Sequence, residues 1–212
     1  MTFRDILLVI LCYLLGSIPF GYILTRRKAG VDIRDHGSGN IGATNVLRTQ
    51  GKALGAITLV LDFAKAAASV WICRAWGSQP WMDAAGGASA VVGHCFPFAL
   101  GFRGGKGIAS GLGAFLFIAP VPTFIALGVF LLEVLTLRWV SLGSIFAALT
   151  FGGVMLGCHL TLDWYTLPAS VIGACLSLLL VARHHTNIRN LLRGTESKLW
   201  GPGSGRPADA KP

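Results

Sequence analysis

The chain has 212 residues, of which 53% are hydrophobic and only 13% are charged, and its formal net charge is +9. Soluble domains carry about 25% charged residues, so this composition excludes a water-exposed surface over most of the molecule and predicts a multi-pass membrane protein. In a membrane protein the excess of positive charge reports which loops face the cytoplasm, so nucleic acid is not expected as a partner.

Seven mostly apolar segments are candidate membrane spans, since about 20 apolar residues suffice to cross a bilayer. They cover roughly residues 5–24, 53–73, 82–101, 107–119, 121–137, 140–159 and 163–182. We expect the first to be a permanent helix bent near Pro19. Pro120 and Pro122 separate the fourth span from the fifth, because proline breaks a helix interior. Merging these two would give six spans, so loop charge has to decide the number.

The distribution of basic residues favours seven spans. With seven spans, fifteen of the eighteen lysines and arginines lie on one side of the membrane, counting those of the C-terminal tail. The positive-inside rule then predicts an all-α protein with its N-terminus outside and its C-terminus in the cytoplasm. We expect residues 1–200 to form a single domain, and the Gly- and Pro-rich residues 201–212 to form a disordered tail.

The segment 37–48, with the sequence GSGNIGATNVLR, follows the first span and combines glycines with polar side chains and one arginine. Glycines let backbone N–H groups turn toward an anion, and Arg48 adds a planar fork suited to phosphate. The candidate anion-binding residues are Gly37, Ser38, Gly39, Asn40, Gly42, Thr44, Asn45 and Arg48. The alternative is an ordinary polar turn. The GxGxxG spacing here does not indicate a dinucleotide site, because no strand precedes it.

A second basic, glycine-rich segment comprises Arg103, Gly104, Gly105, Lys106 and Gly107, directly before a helical pattern. Free N–H groups and the dipole at a helix N-terminus favour an anion there. The segment is not a Walker A loop, because its first glycine and its final Ser or Thr are missing. The alternative is a positively charged anchor at the cytoplasmic surface.

Two further polar groups lie at predicted cytoplasmic helix ends. His184 and Asn187 follow the last span at helical spacing, and the alternative there is a basic helix lying on anionic lipid. Ser141 and Ser144 begin the sixth span. The alternative for them is an N-cap beside an interfacial tryptophan.

Ionisable residues within predicted spans are few. Asp62 and Lys65 are three residues apart on one helical face and are expected to pair, either for helix packing or for chemistry. His94 is a candidate base or a histidine that satisfies a helix end. The five cysteines have no ligand spacing, and the cytoplasmic loops lack paired carboxylates, so neither a metal nor a disulfide is expected.

Taken together, these motifs resemble the PlsY family of bacterial membrane acyl-phosphate:glycerol-3-phosphate acyltransferases. The resemblance runs in order from about residue 10 to 198, through segments 16–22, 37–48, 93–107, 141–144 and 184–196. It implies acyl transfer from acyl phosphate to the 1-hydroxyl of glycerol 3-phosphate, giving lysophosphatidate and phosphate for phospholipid synthesis. It further implies seven helices in the bacterial inner membrane, with the active site on the cytoplasmic side. We expect a monomer that needs no cofactor.

The resemblance also assigns roles to individual residues. It places the family's essential serine and arginine at Ser38 and Arg48, its glycerol-3-phosphate loop at residues 104–107, its histidine and asparagine at His184 and Asn187, and a structural glutamate at Glu196. One departure is the pair His185 and Thr186, where the family often has charged residues.

The predicted mechanism is direct transfer, because an acyl phosphate is already activated and needs only positioning and charge stabilisation. Backbone N–H groups of residues 37–45, with Ser38, Thr44 and Arg48, are expected to hold the acyl phosphate. Lys106, His184 and Asn187 are expected to hold glycerol 3-phosphate. Three bases stay open: the phosphate of the donor, His184 and His94. An acyl-enzyme on Ser38 is the alternative route, and a small organic-anion transporter is the alternative function.

Overall fold

The computed structural model describes residues 1–200, and over these residues the regular structure is entirely helical. The predicted all-α class is therefore confirmed. The predicted disordered tail, 201–212, lies outside the described residues. The α-helices are α1 Phe3–Gly16, α2 Phe20–Ala29, α3 Ala43–Gln50, α4 Lys52–Trp76, α5 Met82–Cys95, α6 Ile108–Phe115, α7 Pro120–Thr136, α8 Val140–Leu162, α9 Leu167–Arg183 and α10 His185–Leu192.

The first predicted span is two helices that meet at a bend, α1 and α2, with Pro19 as the N-cap of the second. Proline has no N–H to continue the helical ladder, which explains the break. Glycines on both sides of the bend allow close packing. A Cβ at Gly16 would overlap the backbone of Ala90, and a Cβ at Gly21 would overlap that of Ile41.

Among residues 1–200, three helical segments are long and apolar enough to cross a membrane by themselves: Phe3–Ala29, Lys52–Trp76 and Val140–Leu162. A fourth candidate is the pair α9 and α10, which bend by 54° at His184. The apolar helix α7 has 17 residues, whereas α5 has 14 and α6 only 8. The predicted span 82–101 is too long, because its helix ends at Cys95 before a loop containing Pro97. The predicted span 107–119 likewise contains a helix only as far as Phe115.

The helices pack in two groups, which meet where α5 contacts α9 and where α6 contacts α7. On one side α5 packs against α1 and α4, and on the other α8 packs between α7 and α9. Their common core contains many small residues, including Ala66, Ala84, Ala90 and Ala114. Small side chains let membrane helices approach closely. Large apolar side chains such as Leu132 and Leu135 stay exposed on the outer surface, as expected of a lipid-facing surface.

Candidate active site

A polar cavity of about 160 Å³ lies where the loops before α3 and α6 meet the start of α8 and the end of α9. We call it the polar cavity. Its walls include the predicted residues Ser38, Asn40, Gly42, Thr44, Asn45, Arg48, Lys106, Gly107, Ser141, Ser144, His184, Asn187 and Glu196, together with Asp62 and His94. Residues far apart in the sequence, from Ser38 to Glu196, therefore meet in one place.

Five predicted substrate-binding residues do not line the polar cavity. Gly39, Arg103 and Gly104 border a separate polar depression beside Arg34 and Arg183. The other two are Gly37 and Gly105, which lie behind the walls. A Cβ at Gly37 would overlap the Asn45 side chain, and one at Gly105 would overlap the His94 ring. These two glycines are needed for close packing around the cavity.

Asn45 holds the 37–48 segment in its shape. Its side chain is buried, and its Nδ2 donates to the carbonyls of Asn40 at 2.8 Å and His36 at 3.0 Å. Its Oδ1 accepts from the backbone N–H of Ser38 at 3.0 Å. One amide thus ties together both ends of the turn, and the Ser38 hydroxyl makes no hydrogen bond to any described residue.

This arrangement corrects one part of the predicted phosphate site. Several backbone N–H groups of residues 37–45 already have partners within the protein: Ser38 donates to Asn45, Gly39 to the carbonyl of His36, and Gly42 to Asn40 Oδ1 at 2.8 Å. These groups are not available to an anion. The N–H groups of Ala43 and Thr44, in the first turn of α3, have no partner within α3 and border the cavity.

Arg48 is held with its guanidinium group at the cavity wall. Its Nη2 donates to the carbonyl of Ser197 at 3.1 Å, whereas its buried Nε has no hydrogen-bond partner among the described residues. Burial lowers the pKa of Arg48, and the nearby Glu196 opposes that shift. An arginine nevertheless stays protonated at neutral pH. A buried cationic donor without a partner costs free energy unless an anion binds it, so this geometry favours an anionic ligand.

Lys106 begins a chain of hydrogen bonds that crosses the cavity. Its Nζ bonds to Asn187 Oδ1, and Asn187 Nδ2 donates to Glu196 Oε1 at 2.7 Å. Ser141 Oγ donates to the same carboxylate oxygen at 2.6 Å. Because the Asn187 NH2 group donates to Glu196, the amide oxygen of Asn187 faces Lys106. Burial lowers the pKa of Lys106 to about 8.

His184 is neutral at physiological pH. Its side chain is almost fully buried, and its Nδ1 lies 2.7 Å from the carbonyl oxygen of Leu180. A carbonyl can only accept, so Nδ1 carries the hydrogen and Nε2 keeps its lone pair. The pKa of His184 is lowered to about 4, chiefly by burial. The hydrogen bond to Leu180 opposes this shift, and the charge of Lys106 adds to it. The ring can therefore accept a hydrogen bond from a hydroxyl group through Nε2.

The predicted pair of Asp62 and Lys65 forms deep in α4, with Oδ1 and Nζ 2.8 Å apart. His94 joins it, because its Nδ1 lies 3.1 Å from Lys65 Nζ and 3.3 Å from Asp62 Oδ1. The lysine also donates to the carbonyl of Ile18 at the bend between α1 and α2, at 2.9 Å. This cluster connects the bend to the wall of the cavity, so it supports the packing around the site.

Arg183 is the functional neighbour that the sequence did not single out. It donates to the carbonyl of Gly104 at 3.1 Å and to that of Gly105 at 3.1 and 3.2 Å, and it lies over the Phe96 ring. It thus fixes the backbone directly before Lys106. In the sequence, Arg183 was only one of the basic residues that set the orientation. The position of a cation beside His184, at a helix C-terminus, was the available signal.

Known proteins are similar to this chain in sequence and in fold. The sequence matches the family model described as glycerol-3-phosphate acyltransferase over residues 6–194. A glycerol-3-phosphate acyltransferase of Rubrobacter xylanophilus is 43% identical over 206 residues, 95% of this chain and 98% of the relative. Its counterpart from Syntrophotalea carbinolica is 42% identical and covers 91% of this chain and 96% of the relative.

A solved structure of the same family has a similar fold. The crystal structure of PlsY, an integral membrane glycerol 3-phosphate acyltransferase, in its glycerol 3-phosphate form superposes with a TM-score of 0.84 and is 36% identical. The match covers 93% of this chain and 96% of that chain. The resemblance to the PlsY family is confirmed, and these relatives give no support to the transporter alternative.

Proposed function

The chain belongs to the glycerol-3-phosphate acyltransferase family, and we propose that it moves a fatty acyl group from acyl phosphate to the 1-hydroxyl of glycerol 3-phosphate. The products are lysophosphatidate and inorganic phosphate. The observation that carries the proposal is the meeting of two cations, Arg48 and Lys106, in one cavity, where the buried Nε of Arg48 has no partner among the described residues.

We assign the two phosphates to two different sets of residues in the polar cavity. The Arg48 guanidinium, the Ser38 and Thr44 hydroxyls and the free N–H groups at the start of α3 bind the acyl phosphate. Lys106 and Asn187, with the Gly107 backbone beside them, bind glycerol 3-phosphate. Holding both substrates in contact supplies most of the catalysis, because the donor is already activated.

In the reaction, the 1-hydroxyl oxygen bonds to the carbonyl carbon of the donor, and the bond between that carbon and the phosphate oxygen breaks. His184 Nε2 accepts a hydrogen bond from the hydroxyl and orients it. With a pKa of about 4, the imidazole is a weak proton acceptor at neutral pH. We therefore assign the proton to the departing phosphate. His94 is a poorer candidate, since its Nδ1 is engaged by Lys65 and its Nε2 lies against Gly105.

An acyl-enzyme on Ser38 is disfavoured, because a serine nucleophile needs a base within hydrogen-bonding distance. The Ser38 hydroxyl has no such partner among residues 1–200, so a binding role fits better. Trapping of a radiolabelled acyl group covalently on Ser38 would overturn direct transfer.

The proposed setting is the bacterial inner membrane, with a monomer whose active site faces the cytoplasm. With seven membrane segments and the N-terminus outside, the polar cavity lies on the cytoplasmic side. Fifteen of the eighteen lysines and arginines, including those of the C-terminal tail, lie on the same side. Here α1 and α2 form the first segment, and the break before Pro120 separates the fourth, α6, from the fifth, α7.

The decisive experiment is an assay of the purified protein in detergent with palmitoyl phosphate and glycerol 3-phosphate, followed by phosphate release. We expect lysophosphatidate to form in equal amount with phosphate, and no product when palmitoyl-CoA replaces the acyl phosphate. Transfer from the thioester but not from the phosphate would contradict the proposed donor.

A further inference from the structure

A second cavity of about 270 Å³ lies against the polar cavity, and we call it the apolar cavity. It is bounded by α6, α7, α8 and α9 together with Leu59 of α4. Four residues line both cavities: Leu59, Ile108, Ala109 and Phe130. The two spaces therefore adjoin each other at these four residues.

The order of residues along α6 and α8 gives the direction of the apolar cavity. On α8 the polar cavity takes Ser141 and Ser144, and the apolar cavity takes Ala148 and Phe151 further along. On α6 the shared residues come first and Phe115 comes last. From Ile108 to Phe115 a helix rises about 10 Å. The apolar cavity thus runs into the membrane-embedded part of the protein.

Helices α7 and α9 run the other way and agree with this direction. On α9, His184 borders the polar cavity, whereas Leu180 and Leu176 border the apolar one. On α7, Phe130 is shared, and Ala126 and Thr123 lie progressively deeper. Four independent helices therefore place Phe115, Phe151 and Thr123 at the far end.

The walls of the apolar cavity suit a hydrocarbon chain. Among residues 1–200, two of the lining side chains carry hydroxyls, and each hydroxyl is satisfied by a backbone carbonyl four residues earlier. Thr123 donates to the carbonyl of Ala119 at 2.8 Å and Ser177 to that of Gly173 at 3.0 Å. No lining side chain in this part of the protein is left to bind a polar ligand or to hold water in place. Small residues such as Gly111 and Ala126 leave the space open.

The far end is closed by two aromatic rings. The Phe115 ring is buried and meets the Phe151 ring edge to face, with centroids 4.8 Å apart. Met155 lies one turn beyond Phe151 on α8 and is also fully buried. An acyl chain that extends from the polar cavity therefore meets these three packed side chains, which we call the floor of the apolar cavity.

In the proposed function the acyl chain of the donor needs an apolar site beside Arg48, and the apolar cavity supplies it; we propose that the pair of Phe115 and Phe151 at its far end sets the longest chain that fits. The inference rests on the proposed function, because it assumes an acyl phosphate held beside Arg48. Leu59 borders both cavities and is 48% exposed on the membrane-facing surface, which gives the chain a lateral path from the bilayer.

Removal of the floor tests the proposal through chain-length preference. We compare kcat/KM for lauroyl, palmitoyl and stearoyl phosphates in wild type and Phe115→Ala. Each added methylene group that the enlarged cavity buries is worth about fourfold in kcat/KM, so the preference moves toward stearoyl phosphate. Phe124→Ala is the matched control, because Phe124 lies on the lipid-facing side of α7 with 60% of its surface exposed.

Narrowing the cavity gives the opposite result and does not disturb the packed floor. Gly111 lines the apolar cavity, and a Cβ there would meet only Leu180, in ordinary contact. Gly111→Leu is expected to move the preference toward lauroyl phosphate. Gly128→Leu makes the same chemical change in open space on α7 and is expected to leave the preference unchanged. Unaltered ratios among the three donors in folded Gly111→Leu would overturn the proposal.

A binding measurement separates failure of the inference from failure of the proposed function. The Tm of wild type and of Gly111→Leu is measured with and without lauroyl lysophosphatidate and stearoyl lysophosphatidate. We expect Gly111→Leu to lose more of the stearoyl shift than of the lauroyl shift, whichever donor the enzyme uses. Equal losses would place the acyl chain elsewhere even if turnover of acyl phosphate is found.

Discussion

At the scale of single residues, the site depends on charges that the fold has partly removed from water. Lys106 is held by Asn187, whose amide is in turn held by Glu196. Burial lowers the pKa of Lys106 to about 8, so its cation is present below that pH and is lost above it. The phosphate that it binds needs the cation.

This gives a pH prediction. We expect kcat/KM for glycerol 3-phosphate to fall above about pH 8, because the free enzyme loses the Lys106 charge there. Lys106→Arg should move that fall to higher pH, since arginine stays protonated. Lys106→Ala should reduce kcat/KM about ten- to hundredfold, as expected for a lost charged hydrogen bond. A fall at the same pH in Lys106→Arg would show that another group is responsible.

Arg183 allows a second prediction at this scale. Arg183→Met removes the bonds that fix Gly104 and Gly105, so Lys106 loses its support and KM for glycerol 3-phosphate should rise about tenfold. Arg183→Lys should restore part of the affinity. The control is Arg189→Met, an equal loss of charge at an exposed position on α10. A fall in kcat with an unchanged KM would contradict the positioning role.

At the scale of elements, the 37–48 segment is an ordered turn that leads into α3. The side chain of Asn45 replaces hydrogen bonds that no secondary structure supplies there. The segment therefore presents Ser38 to the cavity from a fixed backbone, with no need for a flexible loop.

We predict that Asn45→Asp, which keeps the size but loses both donated hydrogen bonds, disorders this turn. The part-buried carbonyls of His36 and Asn40 lose their donor, and each lost hydrogen bond costs about 0.5–1.5 kcal/mol. Hydrogen exchange of residues 36–42 should speed up, and activity should fall with it. Asn190→Asp makes the same change at a side chain with no hydrogen-bond partner among residues 1–200, and its exchange should match that of wild type.

The contacts between elements also separate what could be predicted from the sequence from what could not. Ser38, Arg48, Lys106, His184 and Asn187 could be predicted because they lie in polar segments between the apolar ones, and because those segments resemble motifs of a known family. Arg183 and the internal bonding of the 37–45 N–H groups could not be predicted, because they depend on which carbonyl meets which donor across the fold.

At the scale of the whole molecule, the polar cavity lies at one end of the helices and the apolar cavity extends from it toward their middle. This arrangement suits an enzyme that takes one substrate from water and the other from the bilayer. In the proposed orientation the polar end faces the cytoplasm, as the positive-inside rule predicts for the basic loops.

The orientation can be tested by labelling in whole cells. With the N-terminus outside, a Gln79→Cys variant should react with a membrane-impermeant maleimide added from outside, because Gln79 lies in the turn between α4 and α5. Arg27→Cys, near the end of α2, should react only after permeabilisation. The reverse pattern would show that the chain is inserted the other way.

The sequence by itself determined the helical class, the membrane setting and most of the polar residues that line the polar cavity, because composition and motif chemistry can be read locally along the chain. It also determined the break at Pro120, since proline limits the backbone wherever it occurs. Only the tertiary structure decided that Arg183 supports the loop before Lys106 and that Phe115 meets Phe151 below an apolar cavity. A cavity belongs to no single segment: it is the space left between four helices, and its shape depends on how closely their side chains pack.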